Sequence, residues 1–454
     1  MIRAAPSHSR SVFVETINNF LAKVQAELPR DPLARWAAIF FTGFVLTLVV
    51  SVAATQLFLA LSGVFYFAYL LRAKPPIGFP PGRIPLALFC LFTVISVFFA
   101  ENPAAGGFEI RKLVLFLILL LTVNLIVSGR HLVFLLSILA VESSVAGVVA
   151  ARQFVLQYRR VRVEHPHRIY AFMTVTRIHG FMGHWMNFGG QQMLVLLLIA
   201  ALLLLAGRRK TAGLHASPGA PDGASSTGRR AALWVAAAII AASILLNLTR
   251  GVWLGCFVGG LYLIARWRAR WLWAVPVLIV ITLVAGPRLV QRREESVMHP
   301  ARDPSIAIRL QMWQTGLRMV ERHPWVGVGP NNIKEVYNLY LPPGEVPIVG
   351  YHEHLHNDFV QLAAERGLPC LAAWLWFMIA LLVGSLRLAR KLKSFPWAAH
   401  AAVAGWLAMV AEGFFEFNFG TSPVLMVFLF LMAVPFAAER IEALEKASLP
   451  LTRR

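Results

Sequence analysis

The sequence predicts an all-α integral membrane protein of about twelve transmembrane helices, and three observations carry that prediction. Mean hydropathy is +0.64, and only 14% of the 454 residues are charged. That balance excludes an ordinary soluble domain. Apolar runs of about 17–25 residues recur along the whole length, the size needed to cross a hydrocarbon layer. Short loops rich in Lys and Arg fall on one side of these runs, as the positive-inside rule requires. The net charge of +21 follows that rule only in part. Membrane lipids, not nucleic acid, are the expected partners of the surface.

In chain order, residues 1–36 lack the basic–apolar–small pattern of a signal peptide. Phe13, Ile17, Phe20, Leu21, Val24 and Leu28 instead share one helical face, which predicts a helix lying on the cytoplasmic interface. Residues 37–151 hold the N-terminal spans: two between Ala37 and Leu71, turning near Ala53–Gln56, then about 84–100, 110–127 and 131–151. Central spans occupy about 186–206, 231–248, 251–266 and 271–286. The Gly/Ala/Ser/Pro-rich stretch 207–230 among them reads as a disordered cytoplasmic linker. Within 367–438, three more spans lie at about 368–386, 397–417 and 421–437, before a cytoplasmic tail, 439–454. An even count puts both termini on the side of the basic loops Arg72–Arg83, Arg208–Arg230, Arg266–Arg270 and Arg387–Lys393, hence in the cytoplasm. Cys90, Cys256 and Cys370 lie in or beside apolar runs and read as small core residues.

Two segments then face outward. Residues 152–185 carry Arg152, Arg159, Arg160, Arg162, Arg168 and Arg177 against the single acid Glu164, with four histidines. A basic loop on the outer side opposes the positive-inside rule, so it implies either a phosphate-rich partner held by guanidinium groups or contact with lipid headgroups. Residues 287–366 are long enough for a small domain. Trp313, Leu317 and Val320 predict a helix over Ser305–Arg322, and Gly327, Gly329 and Pro330 break the chain before Asn331.

The densest polar cluster runs from Tyr351 to Gly367 at the edge of an apolar span, where polar groups are expensive and usually functional. His352, Glu353 and His356 match H-E-x-x-H, which on a helix presents two imidazoles for zinc with the glutamate as base. Gly350 and Tyr351 precede it and apolar helix begins only near Phe359, which weighs against that reading. Four aspartates (Asp31, Asp222, Asp303, Asp358) and no D-x-D pair leave a metal-dependent glycosyl transfer site poorly supplied. Arg250 and Arg309 converging on His356 would give two guanidinium forks and one imidazole, a set suited to a sugar diphosphate. Glu412 and Glu416, near the outer end of a later span, are unusual in position; sugar binding is one role open to them, and neither is assigned.

Three ordered motifs resemble the O-antigen ligase and polymerase family. They are Leu248-Thr-Arg250-Gly-Val-Trp-Leu-Gly255; Arg309-Leu-Gln-Met-Trp313 with His323-Pro-Trp-Val-Gly-Val-Gly-Pro330-Asn-Asn; and His356-Asn357 followed at a distance by Gly367. The ligase pattern has a second glycine three residues beyond the first, where this chain has Cys370. The resemblance covers roughly residues 240–370 and implies a GT-C-type glycosyltransferase bundle in the bacterial inner membrane, with residues 287–366 as a small helical periplasmic catalytic domain. It further implies transfer of a glycan from undecaprenyl pyrophosphate to lipid A–core, inverting and without metal or cofactor. His356 would be the general base and Arg250 and Arg309 the pyrophosphate ligands, with Asn357, His354 and His352 as orienting or acceptor contacts; a helix-start role is equally open to Asn357. An O-antigen polymerase or a protein O-oligosaccharyltransferase would use the same donor. A flippase of lipid-linked sugars would instead place its arginines at mid-membrane depth.

Overall fold

A computed structural model describes residues 28–206, 226–277, 304–348 and 353–448, and every regular element among them is helical. The expected interfacial helix lies almost wholly outside the described residues, as do most of the 207–230 linker, the end of the 271–286 span and His352.

Helices α1 (Pro32–Thr47) and α2 (Val52–Ala73) form a hairpin. Asp31 caps α1, accepting from the Leu33 and Ala34 amides with Pro32 at the first position, and Ser51 caps α2. The chain thus turns at 48–51, a few residues before the expected place. Next come α3 (Arg83–Phe98), α4 (Pro103–Ile110), a 3-10 turn (Arg111–Phe116), α5 (Leu117–Leu125), α6 (Gly129–Glu164) and α7 (Ile169–Val175). Then follow α8 (Trp185–Leu205), α9 (Ser226–Asn247), α10 (Arg250–Arg268), α11 (Pro304–Arg322), the short α12 (Ile333–Val336), α13 (Asp358–Lys391), α14 (Pro396–Gly413) and α15 (Ser422–Ser448).

Six of these, α2, α6, α8, α9, α13 and α15, are long and apolar enough to cross a membrane, and α1 and α3 are shorter apolar helices. This is a multi-pass membrane protein. Helices α8 and α15 are apolar nearly all round and form the centre of the bundle; α14 packs on both and on α10, and α10 also packs directly on α8. Helix α2 lies at the edge and exposes Leu57, Val64, Phe67 and Leu71.

Three features position the site. First, α6 does not end near Arg152 as the loop reading expects; its 36 residues reach about 54 Å at 1.5 Å per residue, well beyond a hydrocarbon layer of about 30 Å. No glycine or proline interrupts the 152–164 stretch, so the helix simply continues.

Second, a glycine stripe lets α10 lie directly on α14. A Cβ at Gly255 would sit 3.0 Å from the Ala408 carbonyl oxygen, and one at Gly259 would sit 2.8 Å from that of Ala404. The same i, i+4 register on both helices is the close packing small residues permit in a bilayer. It continues to Gly251, where the neighbours are the Glu412 and Glu416 side chains at 3.4 Å. The N-terminus of α10 is therefore delivered to a pair of acids.

Third, α13 breaks at Gly367 (φ 80°, ψ 167°) ahead of Pro369. Pro369 has no N–H for the Glu365 carbonyl, and the Leu368 amide turns away to the Pro324 carbonyl. The freed Ala364 and Glu365 carbonyls accept from the Val328 and Gly329 amides at 2.8 and 2.9 Å, and Ser96 Oγ also donates to Glu365. A Cβ at Gly367 would meet the Trp325 carbonyl oxygen at 2.3 Å, and one at Gly327 would meet the Glu365 carbonyl carbon at 2.3 Å. The two glycines thus seat the 323–332 turn in the broken helix and fix it to the bundle.

Candidate active site

His356 lies in the last turn of chain before α13, with φ +50°, a left-handed conformation uncommon outside glycine. Its neighbours hold it there. Asn357 is the N-cap of α13: its Oδ1 accepts from the Phe359 and Val360 amides at 2.9 and 3.0 Å, and its Nδ2 donates to the Phe414 carbonyl. On the other side Leu355 is fully buried, and its amide donates to Gln361 Oε1 at 2.7 Å. Gln361 in turn donates to Glu365, whose carboxylate also accepts from the Asn331 amide.

The imidazole meets a carboxylate that sequence reasoning left unassigned. His356 Nδ1 lies 2.7 Å from Glu416 Oε2, and Arg309 Nη2 of α11 lies 2.6 Å from Glu416 Oε1. A carboxylate only accepts, so the hydrogen between them belongs to Nδ1 and the Nε2 lone pair is left for chemistry. Among the described residues, nothing hydrogen-bonds to Nε2. Burial alone would raise the Glu416 pKa, but the His356 hydrogen bond and the charges of Arg309, His356 and Arg177 outweigh it, and the carboxyl falls below its ordinary 4.5. Glu416 is thus an ionised strut joining a base to a guanidinium.

Arg309, expected as a pyrophosphate ligand, has one arm committed to Glu416. Its Nε is buried and has no hydrogen-bond partner among the described residues. Arg250 opens α10, one residue before Gly251, which puts its backbone beside Glu412 and Glu416. His354 packs its ring on Phe417, with centroids 5.3 Å apart. Burial, then the neighbouring His356 and Lys112, lowers its pKa to about 4, so it is neutral near pH 7. A small cavity beside Glu416 is lined by Met186, Glu412, Phe417, Asn418 and Thr421.

The structure therefore brings His356, Arg309, Glu416 and the start of α10 together. Of the two roles open to Asn357, it shows the helix cap. The H-E-x-x-H pattern is not helical: residues 353–357 precede α13 and Glu353 pairs with Lys334 at 2.9 Å, so no single helical face carries the pattern. Two further residues come from the basic segment. Arg177 donates from Nη1 to Thr249 Oγ1 at 3.4 Å, next to Arg250, and His184 caps α8. The sequence signal for Glu416 was available, an acid at the end of an apolar run. Nothing in the sequence paired it with His356.

Residues 235–375 match the family described as O-antigen ligase. The match includes Arg250, Arg309 and His356 and stops short of Glu416. No curated protein matches the chain.

Proposed function

By the match over residues 235–375 the chain is a member of the O-antigen ligase superfamily, and from that premise we propose that it joins a finished glycan to lipid A–core. In general terms such a protein is a lipid-linked sugar transferase. The donor in this reading is a glycan on undecaprenyl pyrophosphate, and the reaction takes place at the periplasmic face of the bacterial inner membrane. The bundle is read as GT-C-type with about twelve spans; that count needs α1, α3, α5, α10, α14 and the 271–286 segment beside the six long apolar helices.

The observation that carries the proposal is the Arg309–Glu416–His356 relay with an open Nε2. An acceptor sugar hydroxyl is deprotonated by His356 Nε2 as its oxygen attacks the anomeric carbon of the donor. The bond from that carbon to the pyrophosphate oxygen breaks, undecaprenyl pyrophosphate departs, and the proton stays on the imidazole. Glu416 holds the ring in its reactive tautomer and stabilises the imidazolium that forms, the role of the orienting acid in other acid–base sites. Guanidinium groups neutralise the diphosphate, a task divalent metals often perform. Direct displacement inverts the anomeric centre. The exposed Arg152, Arg159, Arg160, Arg162 and Arg168 on the projecting end of α6 and beyond suit the phosphates of lipid A–core, which favours ligase over polymerase.

The test compares lipopolysaccharide and lipid-linked glycans from cells with and without the gene. Loss of all attached glycan, with polymer accumulating on undecaprenyl pyrophosphate, is the expected result. A core bearing a single repeat unit would identify a polymerase. An unchanged pattern would refute both and direct attention to glycoproteins. With purified protein, transfer in the presence of chelator should be undiminished; loss restored by zinc would overturn the metal-free step.

A further inference from the structure

The basic segment 152–185 divides in two. Arg152, Arg159, Arg160, Arg162 and Arg168 are exposed on the projecting helix and the turn after it, whereas Arg177 is half-buried and turned into the bundle. The backbone around Arg177 is pinned from two sides. Gln153 of α6 accepts from the His179 and Gly180 amides and donates to the Gly180 carbonyl at 2.8 Å. Asn247, the last residue of α9, is fully buried and donates to the carbonyls of Ile178 and Trp185 at 3.0 and 3.1 Å. Gly180 takes φ +58°, and a Cβ there would strike Phe188 at 2.7 Å, so the turn has no room for a side chain.

The side chain is placed as firmly as the backbone. Arg177 Nε donates to the Thr174 carbonyl at 2.7 Å, Nη1 reaches Thr249 Oγ1, and the guanidinium lies over Trp185, 5.3 Å from the ring centroid. Trp185 in turn contacts the His184 ring at 3.9 Å. His184 Nδ1 accepts from the Met186 amide, which puts its hydrogen on Nε2 and makes it a donor. Arg177 and His356 both act electrostatically on His184, and Arg177 acts on Glu416. Two side-chain amides, one of them fully buried, a glycine turn and a tryptophan platform hold one arginine beside Thr249, at the start of α10 where Glu416 also lies. Arg309, meanwhile, gives an arm to Glu416.

We propose that Arg177, with His184 beside it, binds the diphosphate of the lipid-linked donor, in place of the arm that Arg309 commits to Glu416. This deepens the function proposed above and rests on it for the identity of the donor. The residues lie outside the matched stretch 235–375, so the site is completed by a segment the family match does not reach. In this arrangement Arg309 tunes the base through Glu416, and Arg177 and Arg250 flank the leaving group at the start of α10.

The experiment measures binding of undecaprenyl pyrophosphate to the purified full-length protein by thermal shift, alongside initial rates with varied donor and acceptor. Arg177→Lys keeps the charge and loses the fork. It should weaken undecaprenyl pyrophosphate binding about tenfold or more and raise the donor KM to match, leaving the acceptor KM unchanged. Should that variant not purify, Arg177→Gln, which keeps donors for Thr174 and Thr249, is read in the same way. Wild-type affinity in either variant, or a fall in kcat with donor KM unchanged, would overturn the proposal and make Arg177 a structural clamp. The binding arm is also run on His356→Ala, which should bind as wild type does. A wild-type protein that binds undecaprenyl pyrophosphate through Arg177 yet transfers no glycan would refute the proposed function and uphold this inference.

Discussion

Glu416 and Glu142 are both buried carboxylates in a largely apolar bundle, and their surroundings differ in kind. Glu416 has a partner on each oxygen, Arg309 on one and His356 on the other. Glu142, midway along α6, receives one long hydrogen bond of 3.4 Å from the Val49 amide at the α1–α2 turn, and its other oxygen has no partner among the described residues. An acid away from water is tolerated if its charge is paired and its lone pairs are used. Glu416 satisfies both conditions with groups capable of chemistry, whereas Glu142 satisfies neither with a side chain. The contrast separates a working acid from one that serves local backbone.

The largest expected effect that sharpens this contrast is at the relay. His356→Ala should abolish measurable transfer, and Glu416→Gln should cut kcat by roughly 10²–10⁴, at normal protein levels, in initial-rate assays on purified protein. The glutamine keeps the shape and loses the charge, so full activity in that variant would make Glu416 only a spacer. Arg309→Lys comes next, with a loss of about tenfold or more, because a point charge does not hold Glu416 as a fork does. Its donor KM should change less than that of Arg177→Lys in the same assay.

A smaller effect concerns pH. The folded pKa of Glu416 is depressed, so its contribution to stability is fully present above the ordinary 4.5 and is lost as pH falls through the lower folded value. The melting temperature of wild type should therefore exceed that of Glu416→Gln across pH 5–8 and approach it only in more acid solution. A gap that closes near neutral pH would mean that Glu416 is not held ionised. The smallest effect is expected at Glu142. Glu142→Gln still accepts from the Val49 amide and should keep full activity, with a stability change within roughly 1 kcal/mol in thermal melts. A large activity loss there would break the comparison and give the second acid a function.

Much of the candidate site was legible in the sequence, for reasons that can be named. His356 stood out as an ionisable group at the margin of an apolar run, and Arg250 and Arg309 through the motifs that resemble the O-antigen ligase and polymerase family. Gly327 and Gly329 marked the turn that seats the small domain, and positive φ at both explains why glycine is there. What the sequence concealed was pairing. Glu416 lies 60 residues from His356, and only the packing of α14 against α10 and α13 brings it alongside. Arg177 was read as one of six equivalent charges, because nothing local distinguishes an arginine pinned by Gln153 and Asn247 from one left on the surface. Asn357 was read as an orienting contact or a helix-start residue; its place at the N-cap follows from where α13 begins, and asparagine favours that position strongly.

By itself the sequence determined the membrane class, the order of apolar helices and the chemistry on offer, since each follows from hydropathy, charge and residue type along the chain. Only the tertiary structure decided which charges meet. The glycine stripe on α10 sets how closely it lies on α14, and so where Glu412 and Glu416 fall. The break at Gly367 sets where the 323–332 turn docks, and the pinned turn at Gly180 sets which arginine reaches Thr249. A salt bridge or hydrogen bond forms within a few ångströms or not at all, and distances of that size between remote residues are a property of packing rather than of order along the chain.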